Sequence, residues 1–119
     1  MSKALILFAH GSKKLSWKEP FEYLLNRINK QDLHVELCFL DIMQPSLNKC
    51  IQDLVEKKFT HIIIAPIFLG KGRHIEKDLP ELVKYNQQLY STIEFTILPS
   101  LGERQNVLDA ICKDIHSQI

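Results

Sequence analysis

Apolar positions along the chain fall into two alternating kinds of segment. Lys3-Ala4-Leu5-Ile6-Leu7-Phe8-Ala9 and Thr60 to Ile67 are almost continuously apolar, the pattern of central strands buried on both faces. Val35 to Leu40 and Ile93 to Leu98 alternate more; His34 and Glu36 share one face of the former, which reads as an edge strand. The intervening stretches carry helical spacing. Ser16-Trp17-Lys18-Glu19 has the capping-box form ahead of Phe21, Leu24, Leu25 and Ile28, predicting a helix over about Trp17 to Lys30 with Pro20 in its first turn or so. Pro45 and Ser46 open a second stripe of Leu47, Cys50, Ile51, Leu54 and Val55, closing on Lys57-Lys58, where cations suit the helix dipole. Asp78-Leu79-Pro80-Glu81 can cap a third helix carrying Leu82, Val83 and Leu89, with His74 as an alternative, earlier start. After a turn from Pro99 to Gly102, Val107, Leu108, Ile111, Cys112 and Ile115 stripe the last helix.

Four consecutive strand-helix units predict a parallel sheet with right-handed crossovers and helices on both faces. The expected architecture is α/β, a flavodoxin-like three-layer sandwich with strand order 2-1-3-4, because the two most apolar strands then lie together at the centre. Residues 1–119 read as one domain. In this order the chain leaves strands one and three in opposite directions, so the crevice between their carboxyl ends is the topological switch point where ligands bind.

Composition narrows the function without assigning one. With 119 residues, of which 45% are apolar, the chain can build a core, and its longest apolar run, Ile62 to Leu69, is far too short to span a bilayer. Met1-Ser2-Lys3 runs into the first strand with no cleavage site, which predicts a cytoplasmic protein. A net charge of +1, from 15 basic and 14 acidic residues, gives no global reason to expect nucleic acid or membrane as partner. Cys38, Cys50 and Cys112 lack metal or redox spacing and are expected to be buried thiols in a reducing compartment.

Chemistry concentrates at the switch point. His10 follows the first strand and His74 the loop after the third, so the topology brings both to one crevice, where two imidazoles can hold a divalent metal with positions left free and accept protons near neutral pH. Lys13, Lys14, Lys71 and Arg73 lie in the same two loops and form a local anion trap for carboxylates or phosphates. Gly70 and Gly72 allow a ligand to approach the backbone, and Ser12 lies beside His10 without a nucleophile-elbow sequence around it. Asp41, Glu76 and Asp78 are further carboxylates near the crevice, Asp78 reading more simply as a helix cap. His34 and His61 flank strand amino ends, and His116 sits in the last helical turn; all three read as structural or solvated.

A strand ending in His10-Gly11-Ser12, Pro45-Ser46-Leu47 opening a helix, and a hydrophobic strand leading through Phe68-Leu69-Gly70 to Gly72-Arg73-His74-Ile75-Glu76-Lys77-Asp78-Leu79-Pro80 together resemble the small single-domain sirohydrochlorin chelatases, the cobaltochelatase and ferrochelatase group. The resemblance spans nearly the whole chain. It implies a metal chelatase, a lyase that inserts Co²⁺, Fe²⁺ or Ni²⁺ into sirohydrochlorin in cobalamin- or sirohaem-type tetrapyrrole biosynthesis. The metal is then a substrate and no cofactor is permanently bound. The same resemblance implies similarity to half of the two-domain class II chelatases, a homodimer that forms the cleft, and His10 and His74 as the metal-binding and proton-accepting pair. The family's His-Pro or Asp-Pro after the Leu-Gly turn is here Glu103-Arg104-Gln105. Two rivals are a non-catalytic metal or tetrapyrrole carrier, which the same histidines and basic rim would serve, and a flavodoxin-like binder of a phosphorylated ligand.

Overall fold

The structure is a computed structural model that describes residues 2–29, 33–70 and 72–119, with the backbone but not the side chain of His74. The elements follow the alternation of the sequence: β1 (Lys3–Ala9), α1 (Glu19–Asn29), β2 (His34–Phe39), α2 (Leu47–Glu56), β3 (His61–Pro66), α3 (Arg73–Leu89), β4 (Glu94–Ile97) and α4 (Gln105–Gln118). The four strands form one sheet in the order β2-β1-β3-β4, and every pairing is parallel. Ala4 of β1 stands between His34 and Ile62, and Ile64 of β3 between Ile6 and Ile97, so the two most apolar strands occupy the centre as expected.

Strand alternation divides the sheet into two unlike faces. On one, Ala4, Ile6 and Phe8 of β1 and Ile62 and Ile64 of β3 are fully enclosed with Leu47, Cys50, Ile51 and Leu54 of α2 and Ile75 and Leu79 of α3. Ser46 caps α2 as its sequence position predicts, its Oγ accepting from the Lys49 N–H at 3.2 Å. On the other face α1 lies against β2, and Trp17 packs between Phe21 (4.5 Å) and Phe39 (6.3 Å). Ile63, Ala65 and Ile67 of this face are only half-buried. The apolar run through β3 anticipates burial on both faces; the chain supplies it on one, because α4 stands away from the sheet.

Three local expectations are corrected. Ser16 caps no α-helix: it lies inside a 3-10 turn, Leu15–Lys18, that precedes α1, whereas an N-cap needs extended backbone. The expected end of that helix at Lys30 lies outside the described residues. α3 starts at Arg73 behind an extended Gly72, so Asp78 and Pro80 sit inside the helix rather than at its cap. Pro80 takes the ladder bond from the Glu76 carbonyl, and both residues are exposed, where water can replace it. Finally, Cys38 and Cys50 are buried but Cys112 is exposed, since it rides on α4.

Candidate functional site

The first candidate residue is held through its backbone. Pairing between β1 and β2 continues past the strands: the Leu40 N–H donates to the Ala9 carbonyl at 2.9 Å and the Asp41 N–H to the His10 carbonyl at 3.0 Å. The next residue must turn sharply under that contact. Gly11 has φ +99°, and a Cβ there would lie 2.0 Å from the Asp41 carbonyl oxygen, so only glycine fits. Ser12 closes the turn, its Oγ accepting from the Lys14 N–H at 3.1 Å. With both sides fixed, His10 presents an exposed imidazole at the carboxyl end of β1.

The imidazole rests on aromatic residues. Phe68, just beyond β3, meets the His10 ring edge-on with centroids 4.4 Å apart, and lies 5.6 Å from the Phe8 ring in a similar T-shaped contact. Phe68 is itself clamped. The Ile67 N–H donates to the Phe8 carbonyl at 2.8 Å and the Leu101 N–H to the Phe68 carbonyl at 3.0 Å. The latter comes from a 3-10 turn, Leu101–Glu103, capped by the buried Ser100, with which the exposed Glu103 forms a capping box. Gly102 presses on the same loop, since a Cβ there would stand 1.7 Å from the Leu69 carbonyl oxygen. The sequence shows Phe68 only as part of the Phe68-Leu69-Gly70 run and Pro99 to Gly102 only as a turn. The usable signals were an aromatic residue two positions past a central strand and the Ser100–Glu103 spacing.

Beyond Phe68 the chain rises through exposed Leu69 and Gly70 into α3, and His74 is the second residue of that helix. The two histidines thus sit at the exits of adjacent parallel strands, on one edge of the sheet. Lys13 and Lys14 are exposed behind His10, and Arg73 is exposed at the start of α3; Lys71 lies outside the described residues. The amino end of α3 adds its own partial positive charge to this edge. Gly70 and Gly72 have nothing within 4 Å of a built Cβ, so no contact inside the chain requires their small size. Asp41 is adjacent, its Oδ1 accepting from the Ile42 N–H at 2.8 Å.

Other titratable groups lie elsewhere. His61 Nε2 is 2.8 Å from Thr96 Oγ1 and 3.3 Å from Glu94 Oε2, and His34 Nε2 is 3.6 Å from Glu36 Oε1, both at the amino edge of the sheet as expected. His116 is exposed near the end of α4. Among the described residues no three His, Cys, Asp or Glu side chains gather into a metal-holding group.

The CbiX family model matches residues 4–118. The chain belongs to the CbiX family. Among its relatives, the sirohydrochlorin cobaltochelatase of Saccharolobus solfataricus is 26% identical over 94% of this chain and 92% of its own length, and that of Sulfolobus acidocaldarius 29% over 90% and 85%. A CbiX protein of Marinobacter aquaeolei has the same fold, with a TM-score of 0.85 at 22% identity over 98% of this chain and 96% of its own. The sirohydrochlorin chelatase SirB of Bacillus subtilis subspecies spizizenii, solved in complex with cobalt, superposes with a TM-score of 0.82 at 21% identity over 98% of this chain but only 51% of its own. No described helix of this CbiX chain is long and apolar enough to cross a membrane.

Proposed function

We propose that this chain is a sirohydrochlorin metal chelatase, inserting Co²⁺, Fe²⁺ or Ni²⁺ into the open macrocycle. Its family and the names of relatives that it matches over nearly their full length support the reaction. The observation that carries the site is His10, exposed at the switch point on the Phe68 ring, with the backbone of His74 at the exit of the neighbouring strand.

In this reading the metal is held by His10 and His74, which leave positions open for the incoming pyrrole nitrogens. Lys13, Lys14, Lys71 and Arg73 bind the macrocycle's peripheral carboxylates, while Ser12, Gly70 and Gly72 let it approach the two loops. As ring nitrogens replace the histidines, the freed imidazoles accept the pyrrole protons. Metal enters and leaves as substrate and product, with no resident cofactor. One domain covering residues 1–119 supplies one wall, so two copies pair to enclose a tetrapyrrole. The setting is cytoplasmic, and neither nucleic acid nor membrane is a partner.

Incubating catalytic amounts of protein with sirohydrochlorin and each metal in turn should change the absorption spectrum faster than the uncatalysed control. His10→Ala and His74→Ala should each slow insertion by about 100-fold or more while leaving the circular dichroism unchanged. Unaltered rates in both variants would sink the site assignment; tight binding without turnover would make the protein a carrier.

A further inference from the structure

Two exposed aliphatic side chains bracket the exit of β1. In sheet order β2 and β3 flank that strand, with Phe39 level with Ala9 and Pro66 level with Phe8. β2 ends at Phe39 and β3 at Pro66, and each is followed three positions later by an aliphatic residue, Ile42 and Leu69. These are 57% and 59% exposed, and neither belongs to the core. Both are tied to His10 through their neighbours. The Asp41 N–H donates to the His10 carbonyl, and Phe68, which meets the His10 ring, directly precedes Leu69.

Ile42 is held in place under strain. Its φ is +69°, a left-handed conformation that a β-branched residue rarely adopts. The Met43 N–H donates to the Asp41 carbonyl at 2.7 Å, closing a three-residue turn with Ile42 at its centre, and positive φ is the strained form of such a turn. Gly11 packs against the same turn, since a Cβ on it would lie 2.0 Å from the Asp41 carbonyl oxygen and 3.6 Å from the Met43 nitrogen. Among the described residues Lys58 is the other non-glycine with positive φ, but it is unbranched and follows the α2 C-cap, where that conformation is common. Ile42 has no helix end to complete. Glycine or asparagine would fit its turn with less strain, so nothing in the fold calls for isoleucine there.

Strain kept beside a binding edge points to a ligand. This edge offers cations, Lys13, Lys14 and Arg73, and aliphatic surface together. A bare metal ion or a phosphate has use only for the polar groups. A ring with carboxylates on its periphery and an apolar face has use for both.

We infer that Ile42 and Leu69 recognise the substrate: their side chains pack against the face of the macrocycle on either side of the His10 imidazole, while the cations hold its rim. This rests on the chelatase reading above and names what separates that substrate from a simpler polyanion.

Titrating sirohydrochlorin into the metal-free protein, followed by absorption, tests it alongside urea unfolding. Ile42→Asn, which is at ease in left-handed backbone, should weaken binding about tenfold and raise the urea midpoint. Leu69→Ser should weaken binding by a similar factor, and Ile42→Leu, still aliphatic, should bind as the wild type does. A residue with a merely structural role would give the reverse in Ile42→Asn, a lower midpoint with unchanged affinity. Unchanged affinity in Ile42→Asn or Leu69→Ser, lost affinity in Ile42→Leu, or a midpoint that falls in Ile42→Asn overturns the inference. A wild type that neither binds nor metallates sirohydrochlorin fails the chelatase reading itself; one that metallates it while the variants bind equally well fails this inference alone.

Discussion

Gly11 shows how far a single backbone position constrains this site. The strand that delivers His10 is central, so the next residue must leave at once, and the Asp41 carbonyl stands where a side chain would start. Gly11→Ala combines a left-handed φ with that clash and should cost about 1–3 kcal/mol, read as a lowered urea midpoint. Gly70 and Gly72 have open space around them and carry no such penalty. The glycine-rich loop therefore looks more constrained in sequence than it is in structure, while the lone Gly11 is the position the fold demands.

Cys38 makes a different residue-scale prediction. Its hydrogen bond to Cys50 Sγ and its burial push the thiol well above the ordinary value of 9.0. In the unfolded chain it ionises near that value, so unfolding releases a proton at higher pH. Cys38 thus contributes stability that is present below about pH 9 and lost as pH rises beyond it. Cys38→Ala should flatten the fall in stability between neutral and strongly alkaline pH, measured as denaturant midpoints at each pH.

At the scale of elements, α2 and α3 are fastened by more than apolar contact. Asn86 is 2% exposed, and its Nδ2 donates to Asn48 Oδ1 and to the Leu82 carbonyl, each at 2.8 Å. Asn86→Ala leaves the Asn48 oxygen without this donor and should lower stability by about 1–3 kcal/mol in denaturant unfolding. Elements were legible in the sequence wherever periodicity alone defines them: β1 and β3 as unbroken runs, α2 from its stripe and its Ser46 cap. Their starts were less so. Ser16 and Asp78 each have the composition of a cap, but a cap also needs extended backbone, which Gly72 provides before α3 and the 3-10 turn denies to Ser16. That the His10 and His74 positions share one edge was legible because topology alone brings strand exits together. Phe68 was not, because its role depends on which ring it meets across the sheet.

For the whole molecule, an apolar stripe says that something covers it and is silent on which chain does so. The β3 pattern implies a strand buried on both faces, and the chain encloses one of them, leaving Ile63, Ala65 and Ile67 half-buried on the other. If two copies pair as proposed, stability is tied to association, and the thermal midpoint should rise with protein concentration in scanning calorimetry. A midpoint unchanged over a hundredfold range would speak against it.

The uncovered α4, none of whose residues is buried, also bears on how larger relatives of this fold can be built. Two separate copies, paired as proposed, must first find one another, at whatever concentration the cell supplies. Joined end to end by a flexible linker, each would see its partner at an effective concentration of about millimolar, with no new contact required. Separate copies also oblige every residue lining the cleft to appear twice, so one substitution strikes both walls. A tandem chain, such as one of SirB's length could hold, is released from that symmetry, and its two walls can diverge in sequence.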